Sequence, residues 1–320
     1  MPPPKNPTLP LVSIVIPVYN EEANVQLLYD ELRDVFKSLR YRLEILFVDD
    51  GSIDATLSAI SRLANEDNRL KAISFSRNFG HQAALSAGLD LAVGDAVITM
   101  DGDLQHPPRL IPTLLEKWKE GFDVVYTIRE ETAGASSLKL HTAKWFYRLI
   151  NRIGNTDIPP NTADFRLLSR QVVDELKRLE ERALFLRGLV RWVGFPQTAV
   201  PYKAERRITG KTKYTLKKML GFALDGVVSF SSSPLYLSLY FGFVVSILSF
   251  LYGMYAIYMK LFTSESVPGW ASVLTVVSFI GGVQLITVGI IGLYLGKLFG
   301  EAKRRPRYII RRAIGRVSNL

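Results

Sequence analysis

DAVITMDGDLQ, residues 95–105, is the stretch on which the reading of this chain turns. Its first half, Ala96-Val97-Ile98-Thr99-Met100, is a short apolar, β-branched run of the kind buried on both faces in a parallel sheet. Its second half switches abruptly to oxygen donors. In an extended chain residues at i, i+2 and i+4 share a side, so Asp101, Asp103 and Gln105 present two carboxylates and an amide oxygen together. That set suits a hard divalent cation that keeps positions for water and phosphate. A lone D-x-D is a solvated turn; ending a buried strand, in step with other strand-end acids, it predicts a metal–diphosphate site.

Those other strand ends lie on either side. LVSIVIPV (11–18) is a continuous apolar run, followed by a helical pattern over 21–39. A strand at 43–48, a helix at 54–65, a strand at 70–75 and a helix at 80–92 lead up to 95–100. A helix at 109–119 and a strand at 122–127 follow. Strand and helix alternating at this spacing predict an α/β domain with a mainly parallel sheet, which binds ligands at the carboxyl ends of its strands near a switch in strand order. The first strand ends in Pro17, Tyr19, Asn20 and Glu21, and the second in Asp49 and Asp50, suited to ribose hydroxyls or a base N–H. Ser52 and Asp54 read as the N-cap region of the next helix. His81 and His141 read as isolated, and His106, before two prolines, as a turn residue. Zinc spacings, a Walker A loop, G-x-S-x-G and G-x-G-x-x-G are all missing, which leaves zinc, kinase, hydrolase and dehydrogenase readings without support. The chain has no cysteine, excluding disulfides and thiolate chemistry.

Charge and hydropathy give the rest of the plan. The net charge of +10 is uneven: residues 1–202 hold 24 basic and 26 acidic groups, while 203–218 carries a net +6 and 297–320 a net +7. Between these basic stretches lie two charge-free runs, 25 residues from Leu235 to Met259 and 31 from Ser266 to Gly296. About 20 apolar residues cross a bilayer, so a two-helix transmembrane hairpin is expected at 234–260 and 268–296. Basic flanks and a nearly uncharged connection place both termini and the catalytic domain in the cytoplasm, in a multi-pass protein of the cell inner (plasma) membrane. Met1–Pro10 reads as no signal peptide. The 203–233 segment, with apolar residues at helical spacing from Leu216 to Val228, reads as an amphipathic juxtamembrane helix on the cytoplasmic leaflet, and 297–320 as its basic counterpart. Residues 1–202 are then the catalytic domain. Because that domain is net acidic, nucleic acid is excluded as the partner.

Taken in order, the strand-end Pro-Val-Tyr-Asn-Glu, then Val48-Asp49-Asp50-Gly51-Ser52-x-Asp54, then Asp101-x-Asp103-x-Gln105-x-Pro107 resemble the family 2 glycosyltransferases with the GT-A fold, a Rossmann-like arrangement. The nearer likeness is to the polyprenyl-phosphate branch, which includes dolichol-phosphate mannose synthases and bactoprenol glucosyltransferases. Asp164-Phe165-Arg166-Leu167 is similar to its acceptor-side motif, and Arg207-x-x-Gly210-x-Thr212-Lys213-Tyr214 to its segment before the membrane region. The resemblance implies inverting transfer of a sugar, glucose by the hairpin-bearing relatives, from a nucleoside diphosphate (UDP) donor to undecaprenyl (bactoprenol) phosphate. It implies Mg²⁺ or Mn²⁺ on Asp101, Asp103 and Gln105, with Arg207 and Lys213 closing over the donor diphosphate. Arg166 and Arg129 would hold the acceptor phosphate. Asp164 would orient the acceptor or take a proton, with Asp157 as the fallback. The expected partners are nucleotide-sugar, polyprenyl phosphate and bilayer; a homo-oligomer stays open. Two rivals are weighed. A processive polysaccharide synthase carries Gln-x-x-Arg-Trp, where this chain reads Gly188-Leu189-Val190-Arg191-Trp192. A non-catalytic scaffold or flippase partner would be expected to lose the D-x-D-x-Q set.

Overall fold

The computed structural model describes residues 9–130, 162–179, 181, 186–203, 232–262 and 269–317. They fall into two units, one holding the described residues up to 203 together with 305–317, the other holding 232–304.

The first unit is built on β1 (Leu11–Val18), whose Val12, Ile14, Val15 and Ile16 are fully buried. Parallel neighbours cover it on both edges: β2 (Arg42–Asp49) on one side and β4 (Ala96–Thr99) on the other. β3 (Leu70–Phe75) continues the parallel set beyond β2. Right-handed crossovers of this kind need helices on the sheet faces, and α1 (Glu22–Lys37), α2 (Thr56–Glu66), α3 (His81–Leu91) and α4 (Ile111–Lys119) supply them. In α1 the buried residues Val25, Leu28, Tyr29, Leu32 and Phe36 recur every three or four positions. That spacing makes one apolar stripe, and each fully buried member contributes about 1.5–3 kcal/mol.

Beyond β4 the sheet changes sense. β6 (Thr162–Ser169) lies antiparallel between β4 and β5 (Val124–Arg129), and β7 (Gln197–Tyr202) runs parallel to β5. Short helices α5 (Arg170–Arg178) and α6 (Leu186–Trp192) connect β6 to β7. The order of the sheet is β7-β5-β6-β4-β1-β2-β3-β8 among the described residues, mainly parallel and Rossmann-like, as the GT-A reading expects. The strands and helices read from the sequence up to residue 127 stand within two or three residues of their expected bounds.

The last strand, β8 (Ile310–Ile314), pairs antiparallel with β3. This corrects the expected tail. Residues 305–317 are part of the catalytic unit rather than a segment lying apart on a leaflet, so that unit does not end at 202. The reason is local: Ile310 and Ile314 are partly buried while Arg311 and Arg312 point outward, an edge strand whose charged face reads in sequence as a basic tail.

The second unit holds α7 (Ser233–Phe262) and α8 (Trp270–Ala302). Their stretches Ser233–Met259 and Thr275–Ala302 are long and apolar enough to cross a membrane, with mean hydropathies of 1.9 and 2.1. At 1.5 Å per residue, 27 residues span about 40 Å, more than the roughly 30 Å of hydrocarbon. Their side chains are exposed, as with Phe243, Leu251, Leu285 and Leu298. The second helix runs six residues past the expected Gly296. The amphipathic segment expected within 203–233 lies outside the described residues up to 231.

Candidate active site

The site lies where the strand order reverses, at the carboxyl ends of β1 and β4. Pro17 is buried within β1, and its successors turn outward, with Tyr19 at 40% exposure. Asn20 takes φ +55, a left-handed conformation that asparagine tolerates better than most residues. Its amide donates to Ser52 Oγ (2.9 Å), and its Oδ1 accepts from the amide of Ile53 (2.9 Å), so the turns after β1 and β2 are tied together. Glu21 accepts from Asn24 Nδ2 at 2.5 Å, across the first turn of α1.

Asp49 and Asp50 are tied into the turns that follow β2 and β3. Asp49, 1% exposed, accepts from the Ser52 amide (3.0 Å) and from Ser74 Oγ (2.6 Å). Asp50, 3% exposed, accepts from the amides of Phe79 (2.7 Å) and Gly80 (3.0 Å). Burial, helped by neighbouring Asp49, pushes the Asp50 carboxyl up despite those two bonds. Both oxygens of each acid accept an internal bond, and these bonds shape the turns. Gly51 makes that turn possible: φ is +72, and a Cβ there would stand 2.6 Å from the Arg77 carbonyl carbon. Asp54 accepts from the Thr56 amide (3.0 Å), which begins α2, and stands one residue before the N-cap Ala55.

The D-x-D-x-Q loop follows β4. Gly102 lets it cross over β1, since a Cβ would meet Val18 Cγ1 at 2.7 Å. Asp103 Oδ1 accepts from the Gln105 amide (3.2 Å), and Leu104 between them adopts φ +61, strained for a leucine. Asp101 is held by His106, whose Nδ1 accepts from the Asp101 amide at 3.0 Å and whose Nε2 lies 3.7 Å from Asp101 Oδ2. His106 is buried and stacks on Phe165 (5.3 Å between ring centres), with the Tyr202 ring edge-on to both. It is therefore a support of the acid loop as well as a turn residue. Burial, together with Asp101 and Asp103, pushes the Tyr202 hydroxyl up to about 12, against a lowering by Arg129. Arg129 itself ends β5, exposed and in register with Tyr202.

The antiparallel pairing of β6 brings the acceptor-side motif to the same place. Arg166 stands opposite Thr99, and stepping two residues along each strand sets Asp164 level with Asp101. Thr99 Oγ1 fixes the register by donating to the Asp164 carbonyl at 2.6 Å. The Asp164 side chain, 8% exposed, accepts from Arg187 at both oxygens (2.9 Å each) and from Arg166 at Oδ1 (3.1 Å). Burial alone would raise this carboxyl; the His81 contact and the two guanidiniums outweigh it and hold it well below the usual range. Burial pushes Arg166 down from its ordinary value, with Arg187 adding to this and Asp164 opposing. His81, the first residue of α3, spans the two acids: its Nε2 is 3.4 Å from Asp101 Oδ1 and 3.5 Å from Asp164 Oδ2.

One atom fits a cation. Asp101 Oδ1 is buried and makes no hydrogen bond among the described residues, and the His81 Nε2 at 3.4 Å is a contact longer than a good hydrogen bond. A buried carboxylate oxygen without a donor is costly unless something positive completes it. No three His, Asp or Glu side chains gather as ligands among the described residues. The chain would thus supply two carboxylates and an amide oxygen, leaving the other positions to water and phosphate, which suits Mg²⁺ or Mn²⁺.

The structure places Asp101, Asp103 and Gln105 on the loop after β4 and Asp164 and Arg166 on the neighbouring β6, with Asn20 and Glu21 on the turn after β1. Asp157, Arg207 and Lys213 lie outside the described residues. Sequence reasoning passed over His81, His106, Arg187 and Tyr202. His106 carried a signal, being next to the acid triplet; Arg187 carried none.

The family model described as Glycosyl transferase family 2 matches residues 13–177. The chain is 46% identical over 303 residues to the Uncharacterized glycosyltransferase YkcC of Bacillus subtilis (strain 168), covering 95% of this chain and 94% of that one. It is 44% identical over 301 residues to the Prophage bactoprenol glucosyl transferase homolog of Escherichia coli (strain K12), covering 94% and 98%. It is also 44% identical over 300 residues to the Bactoprenol glucosyl transferase of Shigella phage SfV, again 94% and 98%.

Proposed function

This chain belongs to glycosyl transferase family 2, and we propose that it transfers glucose from UDP-glucose to a polyprenyl phosphate at the cytoplasmic face of the inner membrane, with inversion and with Mg²⁺ or Mn²⁺. The observation that carries the reading is the buried Asp101 Oδ1, which accepts no hydrogen bond among the described residues, set beside a carboxylate that is gripped by two guanidiniums. The relatives' names support the sugar and the lipid; the two apolar helices support the membrane.

In the proposed reaction an acceptor phosphate oxygen forms a bond to the anomeric carbon as the bond from that carbon to the diphosphate breaks. Electrons balance without a redox partner, and the leaving group departs as UDP. A divalent ion, when bound, neutralises charge on that diphosphate. Asp101, Asp103 and Gln105 would hold it; His106 fixes the Asp101 backbone and His81 bridges Asp101 to Asp164. Asp164, held ionised by Arg187 and Arg166, is a weak base. Its part is to orient the guanidiniums toward an acceptor phosphate, which is already largely ionised near neutral pH. Arg129 and, outside the described residues, Arg207 and Lys213 complete the anion-binding set.

The reading against processive polysaccharide synthesis rests on Gly188, buried in α6 where that class places a glutamine. Membranes containing the full chain should convert labelled UDP-glucose and undecaprenyl phosphate into chloroform-extractable product, and EDTA should stop them. Equal transfer by Asp103→Ala would remove the metal assignment. A donor screen with UDP-N-acetylglucosamine and GDP-mannose decides the sugar.

A further inference from the structure

The chain leaves α8 at Ala302 and re-enters the sheet at Ile310, and the residues in between grip two elements of the catalytic unit at once. Tyr308 stacks on Phe75, the last residue of β3, with ring centres 5.1 Å apart and planes at 14°. Its hydroxyl donates to Asp90 Oδ2 (3.1 Å), near the end of α3. Arg307 donates to Ser86 Oγ (3.4 Å) in mid-α3 and to the Leu179 carbonyl (2.5 Å). The Ile309 carbonyl accepts from the Ser76 amide (2.9 Å), just past β3.

Between β3 and α3 lies only the turn 76–80, and His81 is the residue it delivers. The far side of that turn is fixed by Asp50, through the Phe79 and Gly80 amides, while the Phe79 ring meets Phe75 edge-on at 5.7 Å. Phe75 is thus pressed by Tyr308 on one side and by Phe79 on the other. Ser86 and Asp90 lie five and nine residues along α3 from His81, about 7.5 and 13.5 Å at 1.5 Å per residue. A helix behaves as a rod over that length, so a grip at its later turns sets where its first residue stands. His81 has little slack: its contacts to Asp101 and Asp164 are already 3.4 and 3.5 Å.

We infer that Tyr308, aided by Arg307, is a positioning residue that seats α3 and so holds His81 between Asp101 and Asp164. The reacting groups then depend on residues that follow the second apolar helix, although Tyr308 contacts Phe75 and Asp90 rather than any of those groups. The inference rests on the glycosyl-transfer reading for its activity readout.

The test uses the full chain in detergent–lipid micelles, with Tyr308→Ala, Tyr308→Phe, His81→Ala and the Tyr308→Ala/His81→Ala pair. Tyr308→Ala should lower kcat about tenfold or more with donor KM within about threefold, the effect of a misplaced group. Tyr308→Phe, which keeps the stack, should recover most of it. In the His81→Ala background the same change should alter kcat less than about twofold, because both act through one group. Losses that multiply, or an unaltered kcat in Tyr308→Ala, overturn the inference. If Tyr308→Ala does not fold, Asp90→Asn and Arg307→Ala are put through the same cycle, where losses that fail to multiply support the inference and losses that multiply overturn it. If the wild type transfers from no donor, the functional reading fails separately. Hydrogen exchange over residues 76–85 then decides the inference: faster in Tyr308→Ala or its substitutes supports it, unchanged overturns it.

Discussion

Removing the Asp164 carboxylate should damage this protein in a way that separates its electrostatic role from simple loss of packing. Asp164 and Arg166 side chains are 8% and 6% exposed, and Arg187 is 32% exposed. In Asp164→Ala, Arg187 can turn to water, but Arg166 stays in the interior and, among the described residues, keeps the Ala163 carbonyl (3.0 Å) as its hydrogen-bond partner. Stranding one member of a buried pair costs about 3–5 kcal/mol. At about 2–4 °C per kcal/mol for a domain of this size, the unfolding midpoint should fall by about 6–20 °C. Adding Arg166→Met removes the stranded charge while keeping much of its volume, so the double variant should be more stable than the sum of the single losses requires. Arg187→Ala should be milder, about 1.5–3 kcal/mol, because Asp164 keeps Arg166 and His81. The assay is tryptophan fluorescence against temperature on the full chain in detergent, with transfer measured alongside. An Asp164→Ala midpoint within about 2 °C of wild type, less than the smallest shift worked above, would refute the reasoning, since Arg166 would then not depend on Asp164. So would a double variant whose loss equals the sum.

Saturating Mn²⁺ should raise the wild-type midpoint, a site filled at about a hundred times its Kd adding about 2.7 kcal/mol; Asp101→Ala and Asp103→Ala should lose the response, and a wild type indifferent to Mn²⁺ and Mg²⁺ would count against the cation site. Gly102→Ala places a Cβ 2.7 Å from Val18 Cγ1, and forcing that contact should cost about 1–3 kcal/mol and weaken the Mn²⁺ response, whereas an unaltered response would show that the loop can cross β1 elsewhere. Asp67 accepts from Arg69 and Tyr29. The Arg69 bonds, against an opposing effect of burial, bring its carboxyl down to about 2 from 3.8. A lowered folded value means stabilisation present above about pH 4 and lost as pH falls toward about 2. With the exposed face of Arg69 discounted, Asp67→Asn should remove about 1–2 kcal/mol at about pH 7 and flatten the acid limb of a stability–pH curve; an unchanged limb would be the contrary result.

The strands that could be read from the sequence are those that neighbours bury on both sides. β1, β2 and β4 are rich in Val, Ile and Leu because layers of helix cover the sheet, and polar residues buried in them, such as Ser13 and Glu44, pair with each other. β6 escaped that reading because Asp164 and Arg166 interrupt its apolar run, and they are tolerated inside only because they pair with each other and with Arg187. β7 carries Pro201, which an edge strand accepts, and β8 hides behind Arg311 and Arg312. The site divides in the same way. Asp101, Asp103 and Gln105 are alternate residues of one short loop, so their nearness is a property of a local stretch. The meeting of His81, Asp101, Asp164 and Arg187 is set by strand order and by the antiparallel register of β6, neither of which leaves a local trace. Asp49 and Asp50 show a further limit: acids at a strand end read as ligand groups, while the turn bonds they also make leave no mark in the sequence.

The place of β8 bears on the proposed membrane arrangement more directly than charge counting does. The positive-inside argument treats the basic stretches 203–218 and 297–320 as two independent votes for the cytoplasm. The chain itself makes them dependent. It belongs to the catalytic unit up to Lys203 among the described residues and is back in it by Arg307 and Tyr308, whose partners are Ser86, Leu179, Phe75 and Asp90. If α7 and α8 both cross the bilayer, the side that holds one basic flank therefore holds the other. A single crossing, or a hairpin with its flanks on opposite faces, would require β8 to be torn from β3 and Tyr308 from Phe75. Arg307 is partly spent on those contacts, so its charge is a poor guide to lipid binding, while Arg304, Arg305, Arg311 and Arg312 stay exposed. If the helices do cross a bilayer, the pairing of β8 with β3 requires an even number of crossings, and the arginines bear only on which face the site occupies.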